Sequence, residues 1–457
     1  INGNKANNLK LGGLFENARN FVVRNNGKGD FVADGVVTNG KDIELTNNGN
    51  AMTLSGDITN GNDAVITNNG KGGLTTVSTS DITNGGLLYV TNNAGALEMS
   101  GNVTNTGDKT QIVNKGTDAT VGGRIDNAKD LVVVNNGNGD LLVDAAIDNG
   151  NDASITNTGV NATVTSKLTN GNNLVITNDG VGDLTVAGDI TNGNNANVIN
   201  GTRANKLTLG GKFANKNDLV VRNNGKGDFV ANGDIDNGNN AELTNAGRDM
   251  TLSGTLKNVK DLSVVNNGSG LMTLNGSIDN GNVAEITNNG RGMLLDGAVT
   301  NGKDMTITNN GRDGMTLTKD STVDNGGLLY VTNNAGALDM SGSVTNRGIL
   351  TRIFNKGTDA TVNGTIDNAK DLLVINDGTG ALSVGADITN GNDAEITNKG
   401  TDLSVTGTVN NGNNLVVTNN GSGDLTVDGV VTNGNDANVI NGNKANNLKL
   451  GGLFENA

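Results

Sequence analysis

Short apolar runs separated by Asn/Gly turns recur along the whole chain. Val22–Ala33 (Val-Val-Arg-Asn-Asn-Gly-Lys-Gly-Asp-Phe-Val-Ala) shows the pattern and returns letter for letter at Val220–Ala231. Each copy is an apolar run, a polar turn and a second run in which apolar and small residues alternate. Alternation with a period of two over runs this short is typical of β-strands and not of helices.

The unit that begins at Leu174 shows how these strands should face. A period of two places Leu174 and Ile176 on one side of the first run, and Val175 and Thr177 on the other. We expect the residue at the bend after the second run, Gly188, to let the backbone turn a corner. One inward face is predicted for Leu184, Val186, Gly188 and Ile190, with Thr185 and Asp189 opposite.

The turns divide the chain into units of about 21 to 23 residues, from Phe21–Asp42 to Leu415–Asp436, with no linker between them. A unit of this length cannot bury its own apolar face, whereas a stack of units buries a continuous core. The sequence therefore predicts an all-β fold, a single-stranded parallel β-helix (β-solenoid) of about 21 coils, running as one continuous domain over residues 1–457.

A longer repeat lies above these units. Ile1–Ala18 is identical to Ile440–Ala457, and Ile199–Lys216 is a diverged copy of the same segment. We interpret this as two super-repeat blocks, 1–198 and 199–439, with 440–457 restarting the first block. At about 4.8 Å per unit, a repeat of roughly 20 units would extend for about 95 Å. Because no signal peptide is visible and the chain begins within a repeat, we expect it to be a segment of a longer protein.

Composition limits how such a stack can be held together. The 457 residues include 70 Gly and no Pro, Cys, His or Trp, and 2% are aromatic. Asn outnumbers Gly, whereas Gln occurs once, at Gln111. We predict that Asn serves the turns, where it tolerates left-handed backbone conformations, and that stacked Asn side chains bond one another along the axis. The core must then be thin layers of Val, Ile, Leu and Ala, with Phe31 and its counterpart Phe229 filling it.

The chain is acidic, with a net charge of −15 at pH 7. This argues against a nucleic-acid partner, and no apolar run is long enough to span a membrane. High Gly and low aromatic content also occur in disordered proteins, but a disordered chain has no reason to keep a period of two.

Basic residues form two clusters on this acidic background. We expect a solvated face at each cluster, with docking of acidic stretches of neighbouring copies, or of anionic surface glycans, as the alternative. The clusters are Lys5, Lys10, Arg19, Arg24 and Lys28, and then Arg203, Lys206, Lys212, Lys216, Arg222 and Lys226.

The Asn-Asn-Gly-x-Gly-Asp turns are the best candidates for a metal site. They resemble the calcium-binding nonapeptide Gly-Gly-x-Gly-x-Asp-x-Leu-x of repeats-in-toxin proteins, but here the Asp directly follows the second Gly. Other units carry Gly73 or Ala96 in its place. We therefore predict plain polar turns without a cofactor, and keep a calcium-binding repeat module of a secreted protein as the alternative. The candidate calcium ligands are Asp30, Asp140, Asp183, Asp228 and Asp424.

The sequence contains few of the residue types that enzymes use for catalysis. Without His or Cys, the usual nucleophile–base pairs cannot form. Paired carboxylates could still hydrolyse glycosides, as in a polysaccharide-acting β-helix enzyme. Such a site needs long loops to shape a cleft, and no unit in this alignment exceeds about 23 residues. We therefore predict that the protein is not an enzyme.

The repeat resembles the passenger of filamentous haemagglutinin-like proteins and related large autotransporter adhesins. Their form Gly-x-Leu-x-Val-x-Gly-x-Ile-x-Asn is seen in Gly182–Asn192 and, with Val for Ile, in Gly423–Asn433. The resemblance implies a secreted, right-handed parallel β-helix on a bacterial surface that acts in adhesion, biofilm or cell–cell contact. We expect a structural extracellular filament or adhesin shaft that self-associates end to end or laterally into fibres.

Overall fold

The chain folds into coils of three short strands each. We describe a computed structural model that covers residues 1–457, in which the chain is all-β, contains no helix, and divides into two compact units, Ile1–Gly227 and Asp228–Ala457. Within each unit the strands form three parallel sheets, which we name A, B and C. A complete coil contributes one strand to each sheet, in the order A, B, C. The predicted parallel β-solenoid is therefore confirmed.

In the first unit each sheet has ten strands, and the strands of sheet A are longer than those of sheet B. Sheet A consists of Phe21–Asn25, Ile43–Asn47, Ala64–Asn68, Leu88–Asn92, Lys109–Asn114, Asp130–Asn135, Ala153–Asn157, Leu174–Asn178, Ala196–Asn200 and Leu219–Asn223. Sheet B consists of Leu9–Leu11, Phe31–Ala33, Met52–Leu54, Leu74–Thr76, Leu97–Met99, Ala119–Val121, Leu141–Val143, Ala162–Val164, Leu184–Val186 and Leu207–Leu209. Sheet C consists of Leu14–Asn17, Val36–Asn39, Ile58–Asn60, Ile82–Asn84, Val103–Asn105, Arg124–Asn127, Ala146–Asn149, Leu168–Asn170, Ile190–Asn192 and Phe213–Asn215.

The second unit has the same three sheets. Sheet A consists of Ala241–Asn245, Leu262–Asn266, Ala284–Asn288, Met305–Asn309, Leu329–Asn333, Leu350–Asn355, Asp371–Asn376, Ala394–Asn398, Leu415–Asn419 and Ala437–Asn441. Sheet B consists of Phe229–Ala231, Met250–Leu252, Leu271–Leu274, Gly292–Leu295, Met315–Leu317, Leu338–Met340, Ala360–Val362, Leu382–Val384, Leu403–Val405, Leu425–Val427 and Leu448–Leu450. Sheet C consists of Ile235–Asn237, Leu256–Asn258, Ile278–Asn280, Ala298–Asn301, Thr322–Asn325, Ser343–Asn346, Thr365–Asn368, Asp387–Asn390, Val409–Asn411, Val431–Asn433 and Phe454–Asn456.

The core is a column of apolar side chains that stack coil on coil. Ile190, for example, pairs in register with Leu168 of the preceding coil and Phe213 of the following one, and it is 1% exposed. Every residue predicted to face inward in the unit that begins at Leu174 is buried, and its predicted outward neighbours are half-buried or exposed. Phe31 and Phe229 are fully buried, as predicted. Such layers bury apolar area mainly with aliphatic side chains, and with only a few Phe residues.

One coil in each unit is longer than the sequence alignment indicated. Ala64 pairs with Leu88, and Met305 pairs with Leu329, so these coils have 24 residues between equivalent positions, as the bonded Asn pairs of the same coils also show. The extra residues lie at the corner between sheets B and C. The Ser80 hydroxyl there is buried and donates to the Val77 carbonyl at 2.9 Å, so the insertion bonds back to its own backbone.

Left-handed backbone occurs at six Gly residues and at no other residue type. The expectation that Asn adopts left-handed conformations in the turns was therefore wrong. Gly188 does lie at a corner, between sheets B and C. Gly is required there by the lack of space for a side chain, and not by a need for the backbone to bend. A Cβ atom on Gly188 would come within 2.0 Å of the Ser166 carbonyl oxygen, so the close approach of neighbouring coils requires Gly.

The single domain over 1–457, the super-repeat blocks 1–198 and 199–439, and the right-handed winding stay predictions.

Candidate functional site

Sheet A ends in a buried ladder of Asn side chains that links each coil to the next. Asn157 shows the geometry: its Nδ2 donates to Asn178 Oδ1 at 2.8 Å and to the Asn161 carbonyl at 3.1 Å. Its Oδ1 accepts from Asn135 Nδ2 at 2.8 Å and from the Gly159 N–H at 3.3 Å. Both amide hydrogens and both oxygen lone pairs are therefore used. Each side chain closes its own turn and holds the neighbouring coil.

The same arrangement recurs in both units, and all its members are 0% exposed. In the first unit the ladder is Asn25, Asn47, Asn68, Asn92, Asn114, Asn135, Asn157, Asn178, Asn200 and Asn223. In the second it is Asn245, Asn266, Asn288, Asn309, Asn333, Asn355, Asn376, Asn398 and Asn419.

Sheet C ends in a second ladder, which closes the turn back to sheet A. Asn39 Nδ2 donates to Asn60 Oδ1 at 2.7 Å and to the Asp42 carbonyl at 2.9 Å. Its Oδ1 accepts from Asn17 Nδ2 at 2.6 Å. The predicted stacking of Asn along the axis is thus confirmed. The two Asn ladders bond each coil to its neighbours, so these polar side chains stabilise the fold itself.

The five Asp residues considered as calcium ligands share one structural position. Each lies at the end of the turn from sheet A to sheet B, in a different coil. In every case Oδ1 accepts a backbone N–H from the same turn of the following coil, at 3.0 to 3.3 Å. The donors to Asp30, Asp140, Asp183, Asp228 and Asp424 are, in that order, Ala51, Asn161, Lys206, Asp249 and Asn447.

These five carboxylates are not brought together. Asp140 and Asp183, for example, are separated by the coil that carries Asn161, whose Oδ1 accepts the Asp183 N–H at 2.8 Å. No group of three or more acidic side chains is arranged as metal ligands anywhere in the chain. Asn and Asp have the same role at this position, immediately before the sheet-B strand, since each accepts a backbone N–H with one side-chain oxygen. We call the stack of these residues the Asp column.

The sequence analysis missed other Asp residues of this column. Asp118 accepts the Asp140 N–H at 2.8 Å, and Asp402 accepts the Asp424 N–H at 2.7 Å. Asp359 does the same for Ala381 at 2.8 Å. Their common signal is an Asp or Asn just before the first residue of the sheet-B strand. Reading that column across coils, instead of searching for a metal motif, would have found them.

The first basic cluster is partly neutralised by acids in neighbouring coils. Lys10 Nζ lies 2.7 Å from Asp34, and Arg24 donates to both carboxylate oxygens of Glu44 at 2.9 Å. The bond from Arg24 holds the pKa of Glu44 below its usual value. Exposed pairs of this kind add little stability.

The second cluster borders a surface pocket of about 760 Å³ in the first unit. Its walls include Arg203, Lys226 and Asp183, and Arg203 Nη2 donates to the Asp179 carbonyl at 2.6 Å. Both signs of charge therefore line the pocket, and an anion would meet a carboxylate there as well as the two cations.

The pKa shifts give no support to acid–base chemistry. Hydrogen bonds from Thr165 and Ser166 lower the pKa of Asp144, and the hydrogen bond and charge of Asp108 raise the pKa of Lys129. Both shifts favour the charged form that each group already has at neutral pH. A general acid or base needs the opposite, a pKa moved towards the working pH.

Comparison with known proteins adds no relative: no family model, curated protein or solved structure matches the chain. The chain also has no helix of the length and apolarity needed to cross a bilayer. The parallel β-solenoid agrees with the β-helix fold implied by the resemblance to adhesin passengers, and this agreement extends to the fold alone.

Proposed function

We propose that this chain is a structural segment of an extracellular filament or adhesin shaft on a bacterial surface. The observation that carries the proposal is the pair of buried Asn ladders, which link each coil of a unit to the next. A polar ladder that uses all its donors and acceptors internally has none left for a ligand. These residues join coil to coil, which is the property a spacer requires.

The rest of each coil supports the same role. Each added coil lengthens a stack by about 4.8 Å, so length grows with repeat number without a new fold. The corners are short, and the insertion in the 24-residue coil of the first unit bonds back to its own backbone. The net charge of −15 favours solubility and disfavours non-specific association.

Localisation in cells that produce the protein naturally tests the proposal. Antibodies against an outward segment of each unit should label intact, non-permeabilised cells and material projecting from them, as seen by immunogold electron microscopy. A cytosolic protein probed in the same cells is the control and should label only after lysis. Labelling of the chain that appears only after lysis would contradict the proposal.

A further inference from the structure

An Asn that precedes a Gly is chemically labile, and this chain contains many such pairs. The backbone nitrogen of the Gly attacks Cγ of the Asn, ammonia leaves, and a five-membered succinimide forms. Gly favours the reaction because it has no side chain to restrict its backbone. The attacking nitrogen must be free to approach Cγ, so a hydrogen bond from its N–H to another group opposes the reaction.

One group of these pairs lies in the Asn-Asn-Gly turns from sheet A to sheet B. The first Asn of each turn belongs to the buried ladder, and its Oδ1 accepts the Gly N–H at 3.0 to 3.3 Å. The ladder therefore holds the nitrogen that would attack the second Asn. The Gly donors are Gly27, Gly49, Gly70, Gly137, Gly225, Gly268, Gly290, Gly311 and Gly421.

A second group lies at the end of sheet C, where the Asn itself is a buried ladder member. The Gly N–H there donates to a backbone carbonyl of the preceding coil. Gly150, for example, donates to Asn127 at 2.9 Å, and Gly171 donates to Asn149 at 2.8 Å. Both the side chain and the attacking nitrogen are therefore held in place.

The turn that follows Asn135 contains two Asn–Gly pairs in succession, and only the first is held. It reads Asn-Asn-Gly-Asn-Gly-Asp over residues 135–140. The Gly137 N–H donates to Asn135 Oδ1 at 3.2 Å. The Gly139 N–H has no acceptor in hydrogen-bonding geometry, and the side chain of Asn138 before it is exposed.

Other turns of this form differ from it in both respects. The Gly29 N–H donates to the Asn7 carbonyl at 2.8 Å, and the Gly182 N–H donates to the Val160 carbonyl at 3.1 Å. The residues before these two Gly are Lys28 and Val181, which cannot form a succinimide. An exposed Asn and an unheld Gly nitrogen thus come together in the turn over residues 135–140.

We propose that Asn138 is a site of spontaneous deamidation in the folded protein. The Gly139 nitrogen loses its proton and bonds to Cγ of Asn138, while the Cγ–Nδ2 bond breaks and Nδ2 leaves as ammonia. One water molecule then opens the ring at either carbonyl and gives Asp or isoaspartate at position 138. The sum is exchange of an amide for a carboxylate, with water as the only co-reactant.

The product changes a turn in which both neighbouring positions bond the preceding coil. The Asn138 N–H donates to the Gly116 carbonyl at 3.3 Å, and the Asp140 N–H donates to Asp118 Oδ1 at 2.8 Å. In isoaspartate the main chain runs through the former side chain, which adds a methylene between these two bonds. Both bonds cannot then keep their present geometry, so the isoaspartate form should exchange the Asp140 amide hydrogen faster than the unmodified chain.

Ageing of the purified full chain in mildly alkaline buffer tests the proposal, with folded and guanidinium-unfolded samples compared. Trypsin releases residues 130–167 as one peptide, because Lys129 and Lys167 flank it. Its fragment masses assign the change from NH2 to OH to Asn136 or to Asn138. In the folded chain Asn138 should react roughly three- to tenfold faster than Asn136, the range expected from one hydrogen bond. In the unfolded chain the two rates should be similar.

Two variants make the result specific. Asn138→Ser removes the reacting side chain and introduces the residue found at the equivalent positions Ser269 and Ser422. It should lack most of the acidic species that accumulates in the unmodified chain on anion exchange. Asn135→Ala removes the acceptor of the Gly137 N–H and, where circular dichroism shows that it folds, should raise the rate at Asn136 towards that at Asn138.

Three results would overturn the proposal. The first is equal rates at Asn136 and Asn138 in the folded chain. The second is a folded chain in which Asn138 stays intact while the unfolded chain reacts. The third is an acidic species that accumulates as fast in Asn138→Ser as in the unmodified chain. Because each measurement uses the purified chain, the outcome is independent of the surface labelling that tests the proposed function.

Discussion

The Asn side chain has the length that its position in the ladders requires. It must reach a carbonyl in its own turn and an amide in the next coil at the same time, as Asn157 does at 3.1 and 2.8 Å. The extra methylene of Gln would displace the amide by about one C–C bond length and would lose more rotamer freedom on burial. This accounts for a chain with many Asn and one Gln.

Replacing one Asn of a ladder should lower the free energy of unfolding, and the loss should be larger the more deeply that Asn is buried. Asn47 is fully buried and bonds Asn25, Asn68 and the backbone of its own turn. Asn47→Ala leaves the Asn25 amide and the Asn68 oxygen buried without those partners, and should lower the free energy of unfolding by about 3 kcal/mol. Urea unfolding of the full chain, followed by circular dichroism, measures the change.

The adjacent residue is a matched control. Asn48 belongs to a parallel but exposed ladder, donating to Asn26 at 2.8 Å and accepting from Asn69 at 2.6 Å. Water replaces those bonds in Asn48→Ala, so the expected loss is below about 1 kcal/mol. Equal losses at the two positions would show that burial does not decide the strength of the ladder.

At the scale of the element, the corner between sheets B and C sets how closely coils approach. The backbone there runs so near the preceding coil that a Cβ atom would clash at one position of the corner, whereas at the neighbouring position it would make only ordinary van der Waals contact. Gly210 and Gly211 show both cases side by side. A Cβ on Gly211 would lie 2.3 Å from the Gly188 carbonyl oxygen, whereas a Cβ on Gly210 would have its nearest contact at 3.7 Å.

Gly211→Ala should therefore destabilise the first unit, and Gly210→Ala should not. The clash at Gly211 is with backbone, which must shift, at an expected cost of roughly 1–3 kcal/mol. At Gly210 the added methyl group restricts the unfolded chain, so the change should be neutral or slightly stabilising. Hydrogen exchange of the amides in sheets B and C measures both. Similar protection in the two variants would contradict the close approach of the coils.

Strands and buried faces were predictable from sequence because a period of two survives in every coil, as at Leu184 and Ile190. The extra corner residues were not, because alignment on Asn/Gly turns cannot place an insertion such as Val77–Ser80. The Asp column was misjudged because its role depends on a backbone N–H in the next coil, as between Asp140 and Asn161. That contact exists only once the register is known.

At the scale of the whole molecule, the net charge of −15 makes the effect of divalent cations a useful test. Cations in solution screen such a charge weakly and without preference between Ca²⁺ and Mg²⁺. A specific calcium site behaves differently, because a ligand present at 1,000 times its dissociation constant stabilises the folded state by about 4 kcal/mol. In a unit of this size, that would move the melting temperature by roughly ten degrees.

We expect the melting temperature of the full chain to be the same, within a degree or two, in EDTA, in Ca²⁺ and in Mg²⁺. The reason is that Asp140 and its counterparts already use a carboxylate oxygen to accept a backbone N–H, and they lie in separate coils. Asp140→Asn keeps that acceptor, as Asn161 does one coil later, and should leave the melting temperature unchanged. A fall of many degrees in EDTA that Ca²⁺ but not Mg²⁺ reverses, and that Asp140→Asn abolishes, would instead make this turn a calcium site and the chain a calcium-dependent module.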